Sequence, residues 1–256
     1  MARLEQGYIS KELTHFVGKK IPNHDDRYQL LLNILKSGEL KPSQFPVNIP
    51  CIVTTPSGRI SDNELFTPYM VCFCDIPFEH LSIHIKKYGP FGLSFDKDFI
   101  VKNGGRPVQY IPRIATAKDK DGIITMAEYF DENVPEFARL FHLLIYNPNV
   151  FRTLQSNYTA INTPLQLSSP PDYDLLSQLD DLLLFHLFAY LKFYDHTLKD
   201  ADPNNYYFER EWRVASRKVQ FNLDDIKHII IPTEYVACFS QDWPQCTEKL
   251  LPWPPN

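Results

Sequence analysis

Tyr207-Phe-Glu-Arg-Glu-Trp-Arg-Val-Ala215 is the stretch from which both a fold and a candidate site can be argued. Its alternation of charged and apolar residues is typical of a β-strand, in which successive side chains point to opposite faces. A strand here would place Glu209, Glu211 and Arg213 on one face and leave the apolar residues to pack into a core. The two glutamate Cα atoms would then lie roughly 6.6 Å apart, close enough to act on one small ligand. The stretch therefore predicts a site.

The same charges have a simpler interpretation. Arg210 and Arg213 would neutralise the two glutamates in a solvent-exposed ladder of ion pairs, and such pairs contribute little to stability. Both interpretations require a strand, and they differ in whether the charged face lines a cleft. The stretch by itself leaves both open.

Length and composition predict a folded globular protein. The chain has 256 residues, of which 44% are hydrophobic and 14% aromatic, and this is ample for a sizeable core. A net charge of -5 argues against a nucleic-acid binder that uses its whole surface. The five cysteines do not resemble the evenly paired framework of a small secreted domain, and no apolar run is long enough to cross a bilayer. We therefore expect a reduced, cytoplasmic protein without a membrane segment.

Strands at both ends of the chain with helices between them predict an α+β fold. The lack of regular strand-helix alternation argues against a doubly wound parallel sheet, so we expect a twisted, mainly antiparallel one. The expected strands are Leu13–Phe16, Tyr69–Cys74, Phe91–Asp96, Val108–Ile111, Tyr207–Gln220 and Ile226–Ile231. The C-terminal tail after them is expected to be irregular.

Helical periodicity marks two other parts of the chain. Residues 26–37 carry apolar side chains at helical spacing, and Gly38 is placed to end that helix. Asp75 is placed to cap a second helix that ends at Gly89. From about 126 to 198 strand signals fade, and a long helix is expected over Tyr173–Asp195. We interpret residues 1–256 as a single domain with a helical insertion at about 126–198.

Cysteines and histidines near the middle of the chain raise the question of a metal. Cys72 and Cys74 precede His80 and His84, whose spacing of four residues puts both imidazoles on one helical face, as in many zinc sites. However, the cysteines lie in an apolar run, where free cysteine behaves as a small hydrophobic residue. We therefore predict no bound zinc.

An ordered series of motifs runs along most of the chain. The motifs are Val71-Cys-Phe-Cys-Asp-Ile-Pro77, Lys87-Tyr-Gly89, Phe91-Gly-Leu-Ser-Phe-Asp-Lys97, Arg106-Pro-Val-Gln-Tyr110 and Glu209-Arg-Glu-Trp-Arg213. Together they resemble the AbiGi family of bacterial abortive-infection proteins. The resemblance implies antiviral defence, with a cognate toxin, an antitoxin or a phage protein as the binding partner.

The order of an early strand histidine, a Leu-rich helix, a central aromatic segment and a late glutamate strand also looks like ADP-ribosyltransferase-fold proteins. This similarity implies an ADP-ribosyltransferase-like sheet, with NAD as the substrate. It also implies catalytic roles for three residues: His15 would contact the ribose next to nicotinamide, Glu211 would hold the ribose hydroxyl, and Glu209 would complete a paired-glutamate motif. A carboxylate there would stabilise the oxocarbenium character that develops as the bond to nicotinamide breaks.

The same similarity implies a set of cofactor-binding residues. Tyr88 or Tyr110 would stack on the cationic nicotinamide ring, and His84 would lie beside them. An arginine would hold the pyrophosphate, because a guanidinium group matches the geometry of phosphate oxygens. The candidates for that role are Arg59, Arg106 and Arg113.

Two hypotheses about function follow. The first is an ADP-ribosyltransferase-like enzyme that acts in phage defence on a nucleic-acid or protein acceptor. The second is a non-enzymatic antitoxin-like or sensor protein that binds a toxin or effector partner. The charged face of the late strand favours the enzyme, because packing alone does not explain it.

Overall fold

The chain forms two compact units. A computed structural model describes residues 10–42, 51–53, 66–113, 116–118, 122–125, 128–129, 131–133, 182–199, 202, 204–215 and 217–254. The first unit comprises Met1–Pro50, Tyr69–Tyr110 and Tyr194–Asn256, and the second comprises Cys51–Pro68 and Ile111–Phe193. The interpretation as a single domain with a helical insertion stays a prediction.

Most of the described strands are short, and the helices between them have seven residues or fewer apart from the first. The strands are Glu12–Phe16 (β1), Glu39–Leu40 (β2), Cys51–Val53 (β3), Phe66–Pro68 (β4), Met70–Cys74 (β5), Gly92–Asp96 (β6), Arg106–Pro107 (β7), Gln109–Pro112 (β8), Thr116–Lys118 (β9), Ile123–Thr125 (β10), Leu191–Tyr194 (β11), Glu211–Ala215 (β12), Val219–Gln220 (β13), Ile226–Pro232 (β14) and Leu250–Trp253 (β15). The α-helices are His24–Ser37 (α1), Ser82–Tyr88 (α2), Lys97–Lys102 (α3) and Val236–Asp242 (α4).

A sheet is the centre of the first unit. In the described part of the chain it has seven strands, in the order β15-β14-β6-β1-β5-β12-β7. β14 and β15 run parallel, and the other neighbouring strands run antiparallel. The prediction of a mainly antiparallel sheet in a mixed α/β protein is therefore confirmed, whereas its likeness to ADP-ribosyltransferases stays a prediction.

The two faces of this sheet are covered by different helices. On the core face, residues such as Leu13, Phe73 and Phe95 are almost fully buried together with Leu31 and Leu35 of α1. On the opposite face, which we call the α2 face, a smaller apolar cluster includes residues from the sheet, from α2 and from the turn before it. Its buried members are Cys74, Ile76, Leu81, Ile85 and Ile230. Polar side chains on the α2 face are consequently held inside the protein.

The second unit contains short antiparallel pairs. β3 pairs with β4, and β9 pairs with β10. A π-helical turn over Leu182–Leu187 and a 3-10 turn over Phe188–Tyr190 precede β11. The long helix predicted over Tyr173–Asp195 is therefore wrong at its C-terminal end, and the residues before 182 lie outside the described ones. Apolar residues spaced for a helix also fit a buried strand, and Phe193 is almost fully buried in β11.

Local sequence signals explain α1 well. The side chain of Asn23 accepts a hydrogen bond from the backbone N–H of Asp25 at 2.9 Å and so caps the first turn. At the other end Gly38 has φ 63° and donates its N–H to the carbonyl of Ile34 at 2.9 Å. The helix predicted here is confirmed, with its start two residues earlier.

The late strand is shorter than its alternation predicted. Tyr206–Glu209 forms a 3-10 turn, whose start is fixed by the side chain of Asn205 accepting a hydrogen bond from the Tyr207 N–H. Arg210 then has φ 41°, which interrupts the extended backbone, and β12 begins only at Glu211. Glu209 therefore does not share a strand with Glu211, and the prediction of one continuous strand from 207 to 220 was wrong.

Two further expectations near the ends of elements also fail. Asp75 caps no helix, because the helical segment begins with a 3-10 turn over Phe78–His80, and the carboxylate instead binds Lys97 Nζ at 2.9 Å. The C-terminal tail is not irregular, since it contains α4 and the parallel strand β15.

Replacing Gly38 with alanine should destabilise the protein more than the same change at Gly104. Both glycines have positive φ, but a Cβ at Gly38 would lie 2.7 Å from the backbone carbonyl oxygen of Phe221, whereas the nearest atom to a Cβ at Gly104 is 3.5 Å away on a flexible arginine. The backbone conformation alone costs about 1–2 kcal/mol for a residue with a Cβ, so we expect at least that loss for Gly38→Ala. Urea unfolding followed by circular dichroism measures the difference, and equal losses at the two positions would contradict the packing argument.

Candidate functional site

Glu211 forms a buried ion pair with Arg213 on the α2 face. Arg213 Nε donates to Glu211 Oε1 at 2.8 Å, and Nη2 donates to Oε2 at 3.3 Å. Both residues are less than a tenth exposed. Burial opposes the charge of Arg213, but the neighbouring Glu211 carboxylate holds the pKa of the guanidinium above its ordinary value. The arrangement is therefore a two-point buried pair and not the exposed ladder considered from the sequence.

Glu209 is also neutralised within the chain. Lys87 Nζ donates to Glu209 Oε1 at 2.7 Å, and the Tyr88 hydroxyl donates to the same oxygen. Burial and then the charge of Glu209 raise the pKa of Tyr88, so this hydroxyl remains a proton donor. Lys87 was missed as a site residue from the sequence, although it belongs to the Lys87-Tyr-Gly89 motif. The 3-10 turn before β12 thus places Glu209 next to α2, a position that the alternation of side chains along a strand does not predict.

His84 lies beside this pair without a hydrogen bond. Both of its ring nitrogens are buried and have no partner among the described residues. Its ring lies nearly parallel to those of Phe16 and Tyr88, with centroids 6.4 Å and 6.2 Å away, and these two rings are 5.9 Å from each other, so the three rings form a cluster. Burial lowers the pKa of His84 to about 4, against the opposing effect of Glu209. The imidazole is therefore neutral at physiological pH.

The space beside His84 and Glu209 is small. A cavity of about 10 Å³ is lined by residues that include Lys87 and Asn205. This is room for about one water molecule, whereas pockets for small organic ligands have roughly 300–1,000 Å³. In this structure the charged side chains of the site contact one another and leave little space between them.

His15 does not lie on the same face as Glu211. The register places Glu211 opposite Cys74, and Cys74 opposite Thr14, so Thr14 shares the α2 face with Glu211. His15 is the next residue and therefore points to the core face. There its Nδ1 donates to the carbonyl oxygen of Cys72 at 2.8 Å, and burial lowers the pKa of the imidazole. A direct catalytic role for His15 stays a prediction that this geometry does not favour.

Tyr110 is brought to Glu211, but through the backbone. Its hydroxyl oxygen accepts a hydrogen bond from the Glu211 N–H at 2.7 Å. Its ring packs edge-on against Tyr207 and Tyr194, with centroids 5.3 Å and 6.2 Å away. Burial raises the pKa of Tyr110. The Tyr110 ring is thus held by its own chain, and stacking on nicotinamide stays a prediction.

The arginines proposed for a pyrophosphate are spread through the chain. Arg106 is exposed on β7, where it pairs in register with Arg213. Arg113 belongs to the second unit. Arg59 lies outside the described residues. The role of each in binding NAD stays a prediction.

The residues considered for zinc differ in their surroundings. Cys72 is exposed and Cys74 is buried, and burial raises the pKa of the Cys74 thiol. His80 is exposed in its 3-10 turn, whereas His84 is buried. Among the described residues, no three His, Cys, Asp or Glu side chains come together in a group that could hold a metal ion.

Comparison with known proteins identifies the class and then the family. The family model described as "Putative abortive phage resistance protein AbiGi, antitoxin" matches residues 64–236, which is more than half of the chain and contains both glutamates. The match places the chain in a class of proteins described as putative abortive phage-resistance proteins. The chain belongs to the AbiGi family, as its motifs predicted.

One relative supports the same assignment over a shorter stretch. The abortive phage resistance protein AbiGi of Lactococcus lactis subsp. cremoris is 35% identical over 75 residues, which cover 27% of this chain and 29% of that protein. The chain therefore spans less than a third of the relative it matches. No solved structure matches the chain. Among the described residues, the helices are all too short or too polar to cross a membrane.

The neutral state of His84 predicts a loss of stability in acid. Its pKa is about 4 when folded and 6.5 in the ordinary state, so the unfolded chain binds the proton more tightly and stability falls as the pH drops through this window. Between about pH 7.5 and about pH 5 the contribution is about 2 kcal/mol. His84→Phe keeps a ring for stacking and should remove this part of the pH dependence in urea unfolding. His80→Phe, at an exposed position, is the control, and equal pH slopes for wild type and His84→Phe would contradict the prediction.

Glu211→Gln should destabilise the protein strongly because it leaves the Arg213 guanidinium buried without its counter-charge. Breaking a buried pair from one side costs about 3–5 kcal/mol, whereas replacing both members by apolar residues is often neutral. We therefore expect Glu211→Leu/Arg213→Met to recover most of the stability that Glu211→Gln loses in urea unfolding. Asp96→Asn, which removes the partner of Lys227 in an exposed pair, is the control and should change stability little. A small effect of Glu211→Gln would mean that the pair is open to water.

Proposed function

We propose that the protein acts in phage resistance as an antitoxin-type binding protein that restrains a partner toxin. One observation carries the proposal: the two carboxylates that an enzyme would use are bound by cations of the same chain. Arg213 holds Glu211 at two points, and Lys87 with Tyr88 holds Glu209. The description of the matching family model, which includes the word antitoxin, supports the same function.

The chemistry of a transferase requires a different arrangement. A carboxylate stabilises an oxocarbenium ion through its negative charge and must face the ribose, and a cation in contact with it weakens that effect. Here the Glu211 carboxylate is occupied by the guanidinium of its neighbour, and about 10 Å³ of space lies beside Glu209. The packing is that of a charged cluster which stabilises the fold. A rigid fold that presents its outer surface to a protein partner fits these contacts.

Transfer of ADP-ribose from NAD is the second candidate. It is favoured by the convergence of Glu209, Glu211, Tyr88 and Tyr110 at one place, with both tyrosines bonded to a glutamate side chain or backbone. Catalysis would require Arg213 to release Glu211 when NAD enters. A nucleic-acid or protein acceptor would then complete the reaction.

A charge swap separates the two functions. Glu211→Arg/Arg213→Glu keeps an ion pair on the same face of β12 but moves the carboxylate by two residues along the strand. We expect the swapped protein, co-expressed with a candidate toxin from a neighbouring gene, to restore growth as wild type does, and neither the wild-type nor the swapped chain alone to lower cellular NAD. The wild-type chain and toxin should also co-purify.

The opposite outcome is equally clear. If the wild-type chain alone depletes NAD and arrests growth, and the swapped protein does neither while remaining folded by circular dichroism, the antitoxin proposal fails and the transferase takes its place. Glu39→Arg/Lys218→Glu, a swap of an exposed pair in the same unit, controls for the effect of exchanging charges.

A further inference from the structure

A row of side chains crosses the α2 face of the central sheet and has two polar ends. In register, Glu211 is opposite Cys74, Cys74 is opposite Thr14, Thr14 is opposite Ser94, and Ser94 is opposite His228. Neighbouring strands lie about 4.8 Å apart, so Glu211 and His228 are roughly 19 Å from each other. One ligand of ordinary size cannot use both ends. The end at His228 has no part in the proposed function.

An irregularity in β14 is what brings His228 to this face. Ile226 pairs with Phe95 and His228 pairs with Ser94, so Lys227 is an extra residue in the strand. Without the bulge, Lys227 would lie opposite Ser94. Instead Lys227 Nζ reaches Asp96 at 2.7 Å. Bulges often redirect side chains next to functional sites, and here the redirected side chain is an imidazole.

The imidazole is held by a carboxylate and a hydroxyl. His228 Nδ1 donates to Glu12 Oε2 at 2.8 Å, and Ser94 Oγ donates to the same oxygen at 2.6 Å. The His228 backbone N–H donates to Ser94 Oγ at 3.0 Å. Burial raises the pKa of Glu12, but the hydrogen bonds from His228 and Ser94 outweigh it, so the pKa lies below its ordinary value and Glu12 is charged. With Nδ1 donating to the carboxylate, Nε2 is the nitrogen left to accept a hydrogen bond in the neutral ring, whereas in the protonated ring both nitrogens donate.

These groups line a cleft of about 320 Å³, which we call the His228 cleft. Its size falls within the range of pockets that bind small organic molecules, roughly 300–1,000 Å³. Six of its thirteen lining residues are apolar and the other seven are polar or charged, with two carboxylates against one lysine, so an anion is disfavoured. The apolar lining consists of Ile76, Pro77, Phe78, Leu81, Ile230 and Leu251.

We propose that the His228 cleft is a second binding site, which takes an uncharged heteroaromatic molecule that donates an N–H or O–H to His228 Nε2. The apolar residues on one side suit a flat ring, and the carboxylate-held imidazole supplies one directional acceptor. Such a site combines apolar area for affinity with a single polar contact for specificity. The proposal does not depend on whether the protein restrains a toxin, because the His228 cleft lies at the other end of the row of side chains from Glu211.

Indole and benzothiophene test the proposal as a matched pair, because they have nearly the same shape and only indole carries an N–H. Titration of the purified full chain, uniformly labelled with ¹⁵N, would follow the backbone amide signals of the cleft by NMR in every variant, and the His228 ring signals in the wild type. We expect saturable shifts with indole and binding roughly tenfold weaker for benzothiophene, the size of one hydrogen bond. His228→Phe should abolish this preference, and His80→Phe, at an exposed position outside the cleft, should keep it.

Two results would overturn the proposal: equal affinity for the two compounds, or no saturable shift with indole at millimolar concentration. If His228→Phe fails to fold, Glu12→Gln tests the same point, because it removes the charge that orients the imidazole and should reduce the preference for indole. These measurements use the purified chain alone, so their failure is distinguishable from failure of toxin binding in cells.

Discussion

The buried pair between Glu211 and Arg213 is the constraint on which the first unit depends. Two buried charges are tolerated when each helps to satisfy the other, and here two guanidinium nitrogens donate to one carboxylate. The Glu211 N–H is in turn bonded to Tyr110, which ties the segment after β7 to the start of β12. The pair therefore couples two parts of the chain that are about a hundred residues apart in sequence.

Helices cover both faces of the sheet, and this explains why polar side chains on it form hydrogen bonds within the chain. An antiparallel sheet with one wet face can leave its polar residues to water. Here α1 covers the core face and α2 covers much of the other, so Glu209, Glu211 and Ser94 are all buried and each has a hydrogen-bond partner in the chain. His84 is an exception, since its ring nitrogens have no hydrogen-bond partner among the described residues, and it is neutral because burial lowers its pKa.

Strand parity predicted much of this arrangement and failed where the backbone left the strand. It correctly placed Glu211 with Arg213, because β12 is regular from Glu211 onward. It could not place Glu209, because a 3-10 turn and the positive φ of Arg210 depend on local hydrogen bonds that alternation does not record. The bulge at Lys227 was missed for the same reason, since a pattern of period two gives no sign of an inserted residue.

The resemblance to a family and the alternation of strand side chains predict different features of the site. The ordered motifs identified the family, but they gave no partner for Glu209, which Lys87 supplies from α2. Burial was the other quantity that the sequence did not give: a charged strand face suggests a cleft or solvent, and only the packing of α2 shows that the charges are enclosed. The enclosure is therefore a property of these charged side chains that only the fold supplies.

The ion pair between Glu211 and Arg213 also bears on the register of β12 against β5, and the free energy of unfolding does not measure this role. Replacing a buried pair by apolar residues often leaves the free energy of unfolding unchanged, so the energy of the contact alone does not account for the charges. A slip of β12 by one residue against β5 would turn Glu211 and Arg213 into the core beside Phe73 and expose Trp212 and Val214 to the α2 face. The hydrophobic cluster there, which includes Leu13, Phe73 and Phe95, cannot satisfy either charge. The pair therefore specifies one register for β12, and with it the positions of Tyr110 and of the turn that carries Glu209.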